Sequence, residues 1–360
     1  MLVTLALIIG LGIIMTLGAS PAIAEHLGLG PFHFVKRQML FLSVSLCAMF
    51  GISLLEPLWI RRFGVLLFLA CLMLLVITLV VAPEAKGARR WIRIGSFTLQ
   101  ASEFMKPAFI IFCAWMFSET QKTPGFRGWS FSIIAYILVV ILLIAQPDFG
   151  QTVLVTVVWG AQFFMAGLPM IWVTGIAGFS MAGIASAYMF IPHVTSRIDR
   201  FLFPESGDTY QIDTAINAFR SGGLFGRGPG EGAVKKILPD AHTDFIFAVT
   251  GEEFGLMLCL LIIGLFGLVV IRGLVNLFRE RDLFIFLAVS GLFIQFGLQA
   301  FINLGVNLAM LPSKGMTLPF ISYGGSSLLA TSIGMGMILA LTRRSANKNM
   351  DAGAASWGRA

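Results

Sequence analysis

Residues 245–271 read FIFAVTGEEFGLMLCLLIIGLFGLVVI, and the only charged residues in this run are Glu252 and Glu253. A helix needs about 20 mostly apolar residues to cross the hydrocarbon core of a bilayer. Helices of soluble domains typically run for about 8–20 residues and keep one polar face. The stretch therefore predicts a transmembrane helix, and the same pattern recurs on both sides of it.

Apolar runs of similar length occur along the whole chain, and each of them predicts a spanning helix. With the quoted run there are ten, at 2–20, 38–58, 64–82, 103–119, 130–146, 151–168, 170–192, 245–271, 283–310 and 319–342. Hydrophobic residues make up 57% of the 360 residues and charged residues only 12%, which excludes a soluble enzyme, a disordered chain and a disulfide scaffold. An outer-membrane barrel is excluded because its strands alternate apolar and polar residues. The predicted fold class is an all-α integral membrane protein with about ten transmembrane helices.

The ten runs are expected to form one membrane domain over residues 1–345, because no linker divides them. Residues 346–360 are small and polar, and they predict a disordered cytoplasmic tail. The segment 22–24 has the small-residue pattern of a signal-peptidase site, but no Lys or Arg precedes the first run, so we expect the first helix to be retained.

The cysteines, histidines and net charge point to no metal centre, disulfide or nucleic acid partner. Each cysteine lies in an apolar run, which predicts buried thiols; they are Cys47, Cys71, Cys113 and Cys259. The four histidines are scattered, which argues against a zinc site. A net charge of +7 is ordinary for a protein whose membrane helices have basic flanks.

Two connections between the predicted helices carry unusual polarity. The short one, 83–93, holds four basic residues and a single acidic one. The long one, 193–244, is predicted to be extracytoplasmic, between helices 7 and 8, and a loop of that length is usually functional or disordered. Its stretch 210–221 has apolar residues at helical spacing, which predicts an amphipathic helix at the membrane surface.

Ten spans place both termini on one side of the membrane, and the distribution of Lys and Arg indicates which side. Raw counts are nearly equal on the two sides, but the rule gives most weight to short loops. We therefore place both termini in the cytoplasm. The basic loop 83–93 then lies outside against the rule, which indicates an anionic ligand there or contact with lipid headgroups.

Ionisable residues within membrane helices are costly unless they are paired or face water, so each is a functional candidate. Glu103 and Lys106 open the fourth helix and lie three residues apart, hence on one face, with Ser102 as a predicted N-cap. A capped helix end with an internal salt bridge explains the same residues equally well.

Asp244 enters the eighth helix at the boundary between water and membrane. Desolvation there raises the pKa of a carboxyl group toward that of a general base. The alternative is a simple helix cap formed by Thr243 or Asp244. Glu252 and Glu253 lie two turns deeper, and two adjacent carboxylates in a membrane helix are hard to explain by stability.

Two glycine-rich segments complete the polar features. Residues 222–230 lack the GK[ST] ending of a P-loop, although their backbone amides are able to meet a phosphate. Residues 312–327 interrupt the passage from the ninth to the tenth helix, a break tolerated only where it lines a cavity or is buried. Lys314, near the start of this segment, is expected either to pair with an anion or to extend its ammonium group to the membrane surface. Composition leaves open both a reaction with an anionic leaving group and a carrier for an anionic lipid.

These segments, in this order, closely resemble the SEDS family (shape, elongation, division and sporulation), and the division-type branch more than the elongation-type branch. The matching stretches are GARRWI at 87–92, SEFMK at 102–106, QPDFG at 146–150, GRGPG at 226–230, HTDFIFA at 242–248 with the two following glutamates, and SYGGSS at 322–327. They cover the chain from the third predicted helix to the tenth.

The resemblance implies a peptidoglycan glycosyltransferase that polymerises lipid II into glycan strands at the outer face of the bacterial cytoplasmic membrane, at the division site. Asp244 would be the catalytic base, and undecaprenyl pyrophosphate would leave. The candidate substrate-binding residues are Arg90, Trp91, Glu103, Lys106, Asp148, Arg197, Arg200, Gln211, His242, Lys314 and Ser322. No organic cofactor is expected, and a divalent cation, Mg²⁺ or Mn²⁺, is left open.

The expected partners are a class B penicillin-binding transpeptidase and other membrane proteins of the division machinery, with no nucleic acid. Two alternatives to the polymerase remain: a lipid II flippase, and a non-catalytic scaffold that recruits a transpeptidase. The flippase would need polar residues deep in the bundle, and Glu252 and Glu253 are compatible with that.

Overall fold

A computed structural model describes residues 1–26, 28, 30–84, 89–95, 97–167, 210–312 and 315–357, together with isolated positions between 174 and 203. Within these residues most of the chain is helical. The helices are α1 Leu2–His26, α2 His33–Ser53, α3 Pro57–Val81, α4 Ala101–Lys122, α5 Gly128–Ala145, α6 Phe149–Met165, α7 Tyr210–Gly222, α8 Ile246–Leu277, α9 Leu283–Asn307 and α10 Gly325–Trp357.

Seven of the described helices contain stretches long and apolar enough to cross a membrane: α1, α2, α3, α5, α8, α9 and α10. This confirms the predicted class of a helical integral membrane protein. Helix α6 is apolar but has 17 residues, and α4 carries charged residues at both ends. The seventh predicted helix, 170–192, lies largely outside the described residues, so the count of ten spans stays a prediction.

The boundary between α2 and α3 differs from the predicted one. The sequence predicts helices at 38–58 and 64–82, whereas α2 ends at Ser53 and α3 begins at Pro57. Proline is favoured in the first turn of a helix because its missing N–H has no partner to lose there. The residue before it is pushed to extended geometry, as Glu56 shows with φ −80° and ψ 155°.

Two short strands between α3 and α4 were not predicted. Strand β1 covers Ile92–Ile94 and β2 covers Phe97–Leu99, and they pair antiparallel. The apolar residues alternate over too few positions to register as strands in the sequence.

Helix α10 continues to Trp357, whereas the sequence predicts a disordered tail from residue 346. Alanine favours helix, and a helix already started by the spanning part extends at little cost.

One cysteine departs from the expectation of buried thiols. Cys71, Cys113 and Cys259 are buried, but Cys47 is exposed on α2. An apolar position in a membrane helix faces either protein or lipid, and the apolar pattern alone does not distinguish the two.

The chain forms two compact units. The first comprises residues 1–40, 169–272 and 296–324, and the second comprises 41–168, 273–295 and 325–360. The expectation of a single membrane domain over residues 1–345 stays a prediction.

Candidate functional site

In the first unit, a tight turn places Asp244 just before α8. The backbone of Asp240 has φ 53°, a left-handed conformation that Asp tolerates better than most residues. Its carbonyl oxygen accepts hydrogen bonds from the N–H groups of Thr243, Asp244 and Phe245 at 3.1 to 3.3 Å. Asp244 therefore lies at the end of a closed turn and outside the regular helix.

The carboxylate of Asp244 lies against the backbone at Gly315. A Cβ atom added to Gly315 would lie 2.9 Å from Oδ2 of Asp244, closer than real Cβ atoms approach. The main-chain carbonyl of Asp244 accepts hydrogen bonds from the side-chain amides of Asn303 and Asn307, each at 2.9 Å. The backbone of Asp244 is thus held by two side-chain amides, and its carboxylate, on a half-buried residue, lies close to Gly315.

His242 lies in an aromatic cluster beside this turn. Its ring centroid is 4.9 Å from that of Phe34 and 5.2 Å from that of Tyr323, and the N–H of Tyr323 donates to the His242 carbonyl at 2.9 Å. Burial lowers the pKa of His242 to about 4, and the charge of Asp240 partly opposes the shift. His242 is therefore neutral near pH 7, which suits hydrogen bonding better than charge neutralisation of a phosphate.

Glu252 and Glu253 bind the end of the long loop to α8. The carboxylate of Glu252 accepts hydrogen bonds from the N–H groups of Val234 and Lys235 at 2.8 and 3.0 Å. Glu253 forms a buried ion pair with the Lys235 ammonium, which also donates to the carbonyls of Gly18 and Gly230. The two carboxylates that looked unexplained in the sequence are therefore both satisfied by one three-residue turn.

The glycine-rich loop fills a break in α8. Gly255 has φ 78° and ψ −177°, which interrupts the helix. The backbone groups that the break leaves unpaired are bonded by the loop instead. N–H groups of Arg227 and Gly228 donate to carbonyls of Glu252 and Glu253, and N–H groups of Leu256 and Met257 donate to carbonyls of Gly223 and Leu224, all at 3.0 to 3.2 Å. The amides of residues 227 and 228, considered above as phosphate donors, are thus engaged within the protein.

Helix α7 confirms the helix predicted at 210–221, but its apolar face packs against protein. Ala215 and Ala218 are fully buried in a cluster with Leu238, Phe245 and Val306. Small side chains allow the helix to approach closely. The chain itself covers much of that face, and contact of this helix with the membrane surface stays a prediction.

In the second unit, Glu103 and Lys106 form a buried ion pair in the first turns of α4. Lys106 Nζ lies 2.7 Å from Glu103 Oε2, with side-chain exposures of 1% and 7%. The amide of Gln151 on α6 donates to the other oxygen of Glu103 at 2.6 Å. The N-cap is Gln100, whose side-chain amide donates to the Ser102 hydroxyl, so the prediction of Ser102 as N-cap is wrong.

Arg90 holds the turn between α5 and α6. Its guanidinium donates to the carbonyls of Gln146 and Pro147, and the side chain of Gln146 in turn donates to the carbonyl of Leu75 at 3.1 Å. Asp148, also in this turn, is buried. The predicted substrate residue Arg90 therefore has a structural function as well.

In the second unit, Ser326 of the SYGGSS run links β2 to the start of α4. The Ser326 hydroxyl accepts a hydrogen bond from the N–H of Gln100 and donates to the carbonyl of Thr98, at 3.2 and 3.1 Å. Ser322, in the first unit, is buried and accepts a hydrogen bond from the N–H of Leu318 at 2.8 Å. The serines of this motif thus fix turns.

The predicted site residues fall into three groups. The first unit holds Asp244, His242, Ser322 and Gln211, with Gln211 half-buried in the first turn of α7. The second unit holds Arg90, Glu103, Lys106, Asp148 and the exposed Trp91. Arg197, Arg200 and Lys314 lie outside the described residues. Each role in substrate binding stays a prediction.

Three residues with prominent contacts to the site segments were missed: Lys235, Asn303 and Asn307. Lys235 looked like one of several loop cations. The two asparagines lie in a run interpreted only as apolar, although Gln299, Asn303 and Asn307 recur every four residues. Amides at that spacing in a membrane helix are a detectable signal of one polar face.

The described helices and the ionisable groups buried among them define a multi-pass membrane protein with polar clusters next to the starts of α4 and α8. Membrane enzymes and carriers share that pattern. The chain belongs to the family whose model is named FTSW_RODA_SPOVE and described as "Cell cycle protein", which matches residues 1–347.

Relatives from several bacteria support this assignment over nearly the full chain. A protein of Caulobacter vibrioides named "Probable peptidoglycan glycosyltransferase FtsW" is 46% identical over 99% of this chain and 91% of its own length. A protein of Saccharophagus degradans with the same name is 36% identical over 91% of this chain and 88% of its own.

Solved structures share the fold. One, described as "Structural coordination of polymerization and crosslinking by a peptidoglycan synthase complex", has a TM-score of 0.78 at 27% identity and covers 95% of this chain and 96% of its own. The rod shape determining protein RodA of Thermus thermophilus has a TM-score of 0.68 at 28% identity and covers 95% of each chain.

Proposed function

We propose that this chain is a division-type peptidoglycan glycosyltransferase that polymerises lipid II. The names of its relatives support the activity. One observation supports Asp244 as the general base. Asp244 precedes the first turn of α8, and its carboxylate lies close to Gly315. A carboxylate at the start of a membrane helix, beside a neutral histidine, is suited to take a proton.

The reaction would be a direct displacement. Asp244 takes the proton of the 4-hydroxyl group of the acceptor sugar, and the hydroxyl oxygen attacks the anomeric carbon of the donor. The bond from that carbon to the diphosphate oxygen breaks, and undecaprenyl pyrophosphate leaves with the bonding electrons. Cationic groups stabilise the charge that develops on the diphosphate; our candidates are Lys106, Arg90, Arg197, Arg200 and Lys314.

A divalent cation, Mg²⁺ or Mn²⁺, on the diphosphate of the substrate is part of the proposal. Among the described residues, no group of three or more His, Cys, Asp or Glu side chains is placed to hold a metal ion.

The setting of the reaction is also proposed. The termini would be cytoplasmic and residues 193–244 extracytoplasmic, and Asp244 would then lie at the outer face of the bacterial cytoplasmic membrane, at the division site. The partner would be a class B penicillin-binding transpeptidase that crosslinks the new strand, together with other division proteins. A related structure described as a peptidoglycan synthase complex supports such a partnership.

The flippase alternative loses its main support. It drew on Glu252 and Glu253 as polar groups along a path through the membrane. Both carboxylates are engaged, by the amides of residues 234 and 235 and by the Lys235 ammonium. The scaffold alternative gives no reason for the closely held Asp244.

Purified lipid II tests the proposal. The protein, alone and with its transpeptidase, is incubated with labelled lipid II, and glycan strands are separated by gel electrophoresis. We expect strands from the wild type and none from Asp244→Ala, with equal amounts of folded protein. Normal polymerisation by Asp244→Ala would show that the base is assigned wrongly. Lipid II transfer across vesicles without polymer would favour the flippase.

A further inference from the structure

One face of α9 carries buried side-chain amides along the C-terminal turns of the helix. Gln299, Asn303 and Asn307 are spaced four residues apart and are 1%, 1% and 0% exposed. Burying an amide away from water costs free energy unless it is hydrogen-bonded. The partners of these amides therefore indicate what the face is for.

Asn307 bridges two backbone groups at the start of α8. Its Nδ2 donates to the carbonyl of Asp244 at 2.9 Å. Its Oδ1 accepts from the N–H of Ala248 at 3.1 Å, and the same N–H also donates to the carbonyl of Phe245 at 3.0 Å. Residues 244 and 248 are the pair that an α-helix would join directly. The carboxamide of Asn307 thus lies between the two groups, and α8 begins at Ile246 with Asp244 outside it.

Asn303 joins Asp244 to the segment that its carboxylate contacts. Its Nδ2 donates to the carbonyls of Asp244 and Met316, at 2.9 and 2.6 Å. One turn away, the amide of Gln299 donates to the carbonyl of Thr317 at 3.1 Å. The segment therefore holds Gly315 at close range to Oδ2 of Asp244.

We propose that Asn303 and Asn307 are positioning residues that fix Asp244 for proton abstraction. The proposal rests on the proposed function. Stability alone does not call for these amides, because Asp244 and Ala248 could bond each other in a longer helix beside apolar side chains. That longer helix would turn the Asp244 side chain away from Gly315. A displacement of about 1 Å at a reacting group can cost roughly 10²-fold in rate.

The test compares Asn303→Leu and Asn307→Leu with a matched control, Gln162→Leu. Gln162 is also fully buried and donates two hydrogen bonds, to the carbonyls of Ile110 and Leu287, in the second unit. Lipid II polymerisation yields kcat and KM, and hydrogen–deuterium exchange reports on the amide of Ala248. Thermal unfolding in detergent shows whether each variant is folded.

We expect kcat to fall roughly 10²-fold in each asparagine variant, with KM changed by less than about threefold, because the loss lies in the transition state. Exchange at Ala248 should rise in Asn307→Leu, because its N–H loses one of two acceptors. Gln162→Leu should keep the wild-type rate, even if its melting temperature falls as far as the melting temperatures of the two asparagine variants. Equal losses of rate in all three variants would overturn the proposal.

Asn307→Ser keeps the test decisive if Asn307→Leu does not fold, because a hydroxyl and a water can fill the space. It should be folded and still lose most of its rate; a normal rate in this variant would overturn the proposal. If the wild type itself makes no glycan, the proposed function fails, and hydrogen–deuterium exchange at Ala248 then tests the contact of Asn307 on its own. Unchanged exchange in Asn307→Leu would contradict positioning of the start of α8 by Asn307.

Discussion

Lys235→Met removes the cation of the buried pair that binds the loop to α8. The ammonium of Lys235 has three partners: the Glu253 carboxylate and the carbonyls of Gly18 and Gly230. The side chains of Lys235 and Glu253 are 4% and 1% exposed, so water does not replace the lost partner. Removing one member of a buried pair costs about 3–5 kcal/mol, because the other charge stays buried alone.

The free energy of unfolding, measured by denaturant titration in mild detergent micelles, checks this magnitude. A control is available in the same turn, since Lys236 is exposed. We expect Lys236→Met to change stability by less than about 0.5 kcal/mol. Hydrogen–deuterium exchange in residues 222–238 should rise in Lys235→Met and not in the control.

A double substitution separates the pair from general loop damage. When Glu253→Leu is added to Lys235→Met, no uncompensated charge remains, and most of the lost stability should return. The coupling energy of the cycle should reach about 2–3 kcal/mol, at the upper end of values for residues in contact. The reasoning is refuted if Lys235→Met costs no more than Lys236→Met, or if the double variant is as unstable as the sum of the single ones.

Three further changes probe the site. Gly315→Ala should lower kcat at least tenfold, because the added Cβ displaces the Asp244 carboxylate. The control is Gly264→Ala, where an added Cβ meets nothing within 4 Å, and equal rates of the two variants would contradict the contact between Gly315 and Asp244. Because the pKa of His242 is lowered to about 4 by burial, the unfolded chain binds more protons between pH 6.5 and 4, so stability should fall by about 2 kcal/mol from pH 7 to 5. Thermal unfolding of His242→Gln should lack that loss, and an unchanged pH dependence would exclude His242 as its source. Glu103→Gln leaves the buried Lys106 ammonium without its carboxylate, so it should lower the melting temperature more than the double variant Glu103→Gln/Lys106→Met does. A lower melting temperature for the double variant would show that the charges do not stabilise the pair.

The sequence predicted the membrane class and most helices because long apolar runs have few alternative structures. It misplaced the end of α2, since an apolar run continues through Ser53 and only Pro57 marks the break. Strands β1 and β2 were missed because three residues carry too little periodicity. Burial of Cys47 was wrong because lipid-facing and protein-facing positions are equally apolar.

The candidate site was predictable in its ionisable residues and less so in its contacts. The cost of burying a charge draws notice to Glu103, Lys106 and Asp244 wherever the chain places them. The pairing of Glu103 with Lys106 followed from their spacing on one helix. The partners of Glu253 and Asp244 did not, because Lys235 and Asn303 lie 18 and 59 residues away along the chain, and no local periodicity encodes such contacts.

The measurement that tests the central claim most directly is the rate of lipid II polymerisation by two isosteric variants, Asp244→Asn and Asp240→Asn. Each removes one negative charge from the same turn, and asparagine tolerates the left-handed backbone of residue 240. If Asp244 is the base, Asp244→Asn makes no detectable glycan, while Asp240→Asn polymerises within a few-fold of the wild type. Polymerisation by Asp244→Asn at a rate close to that of the wild type would contradict the account.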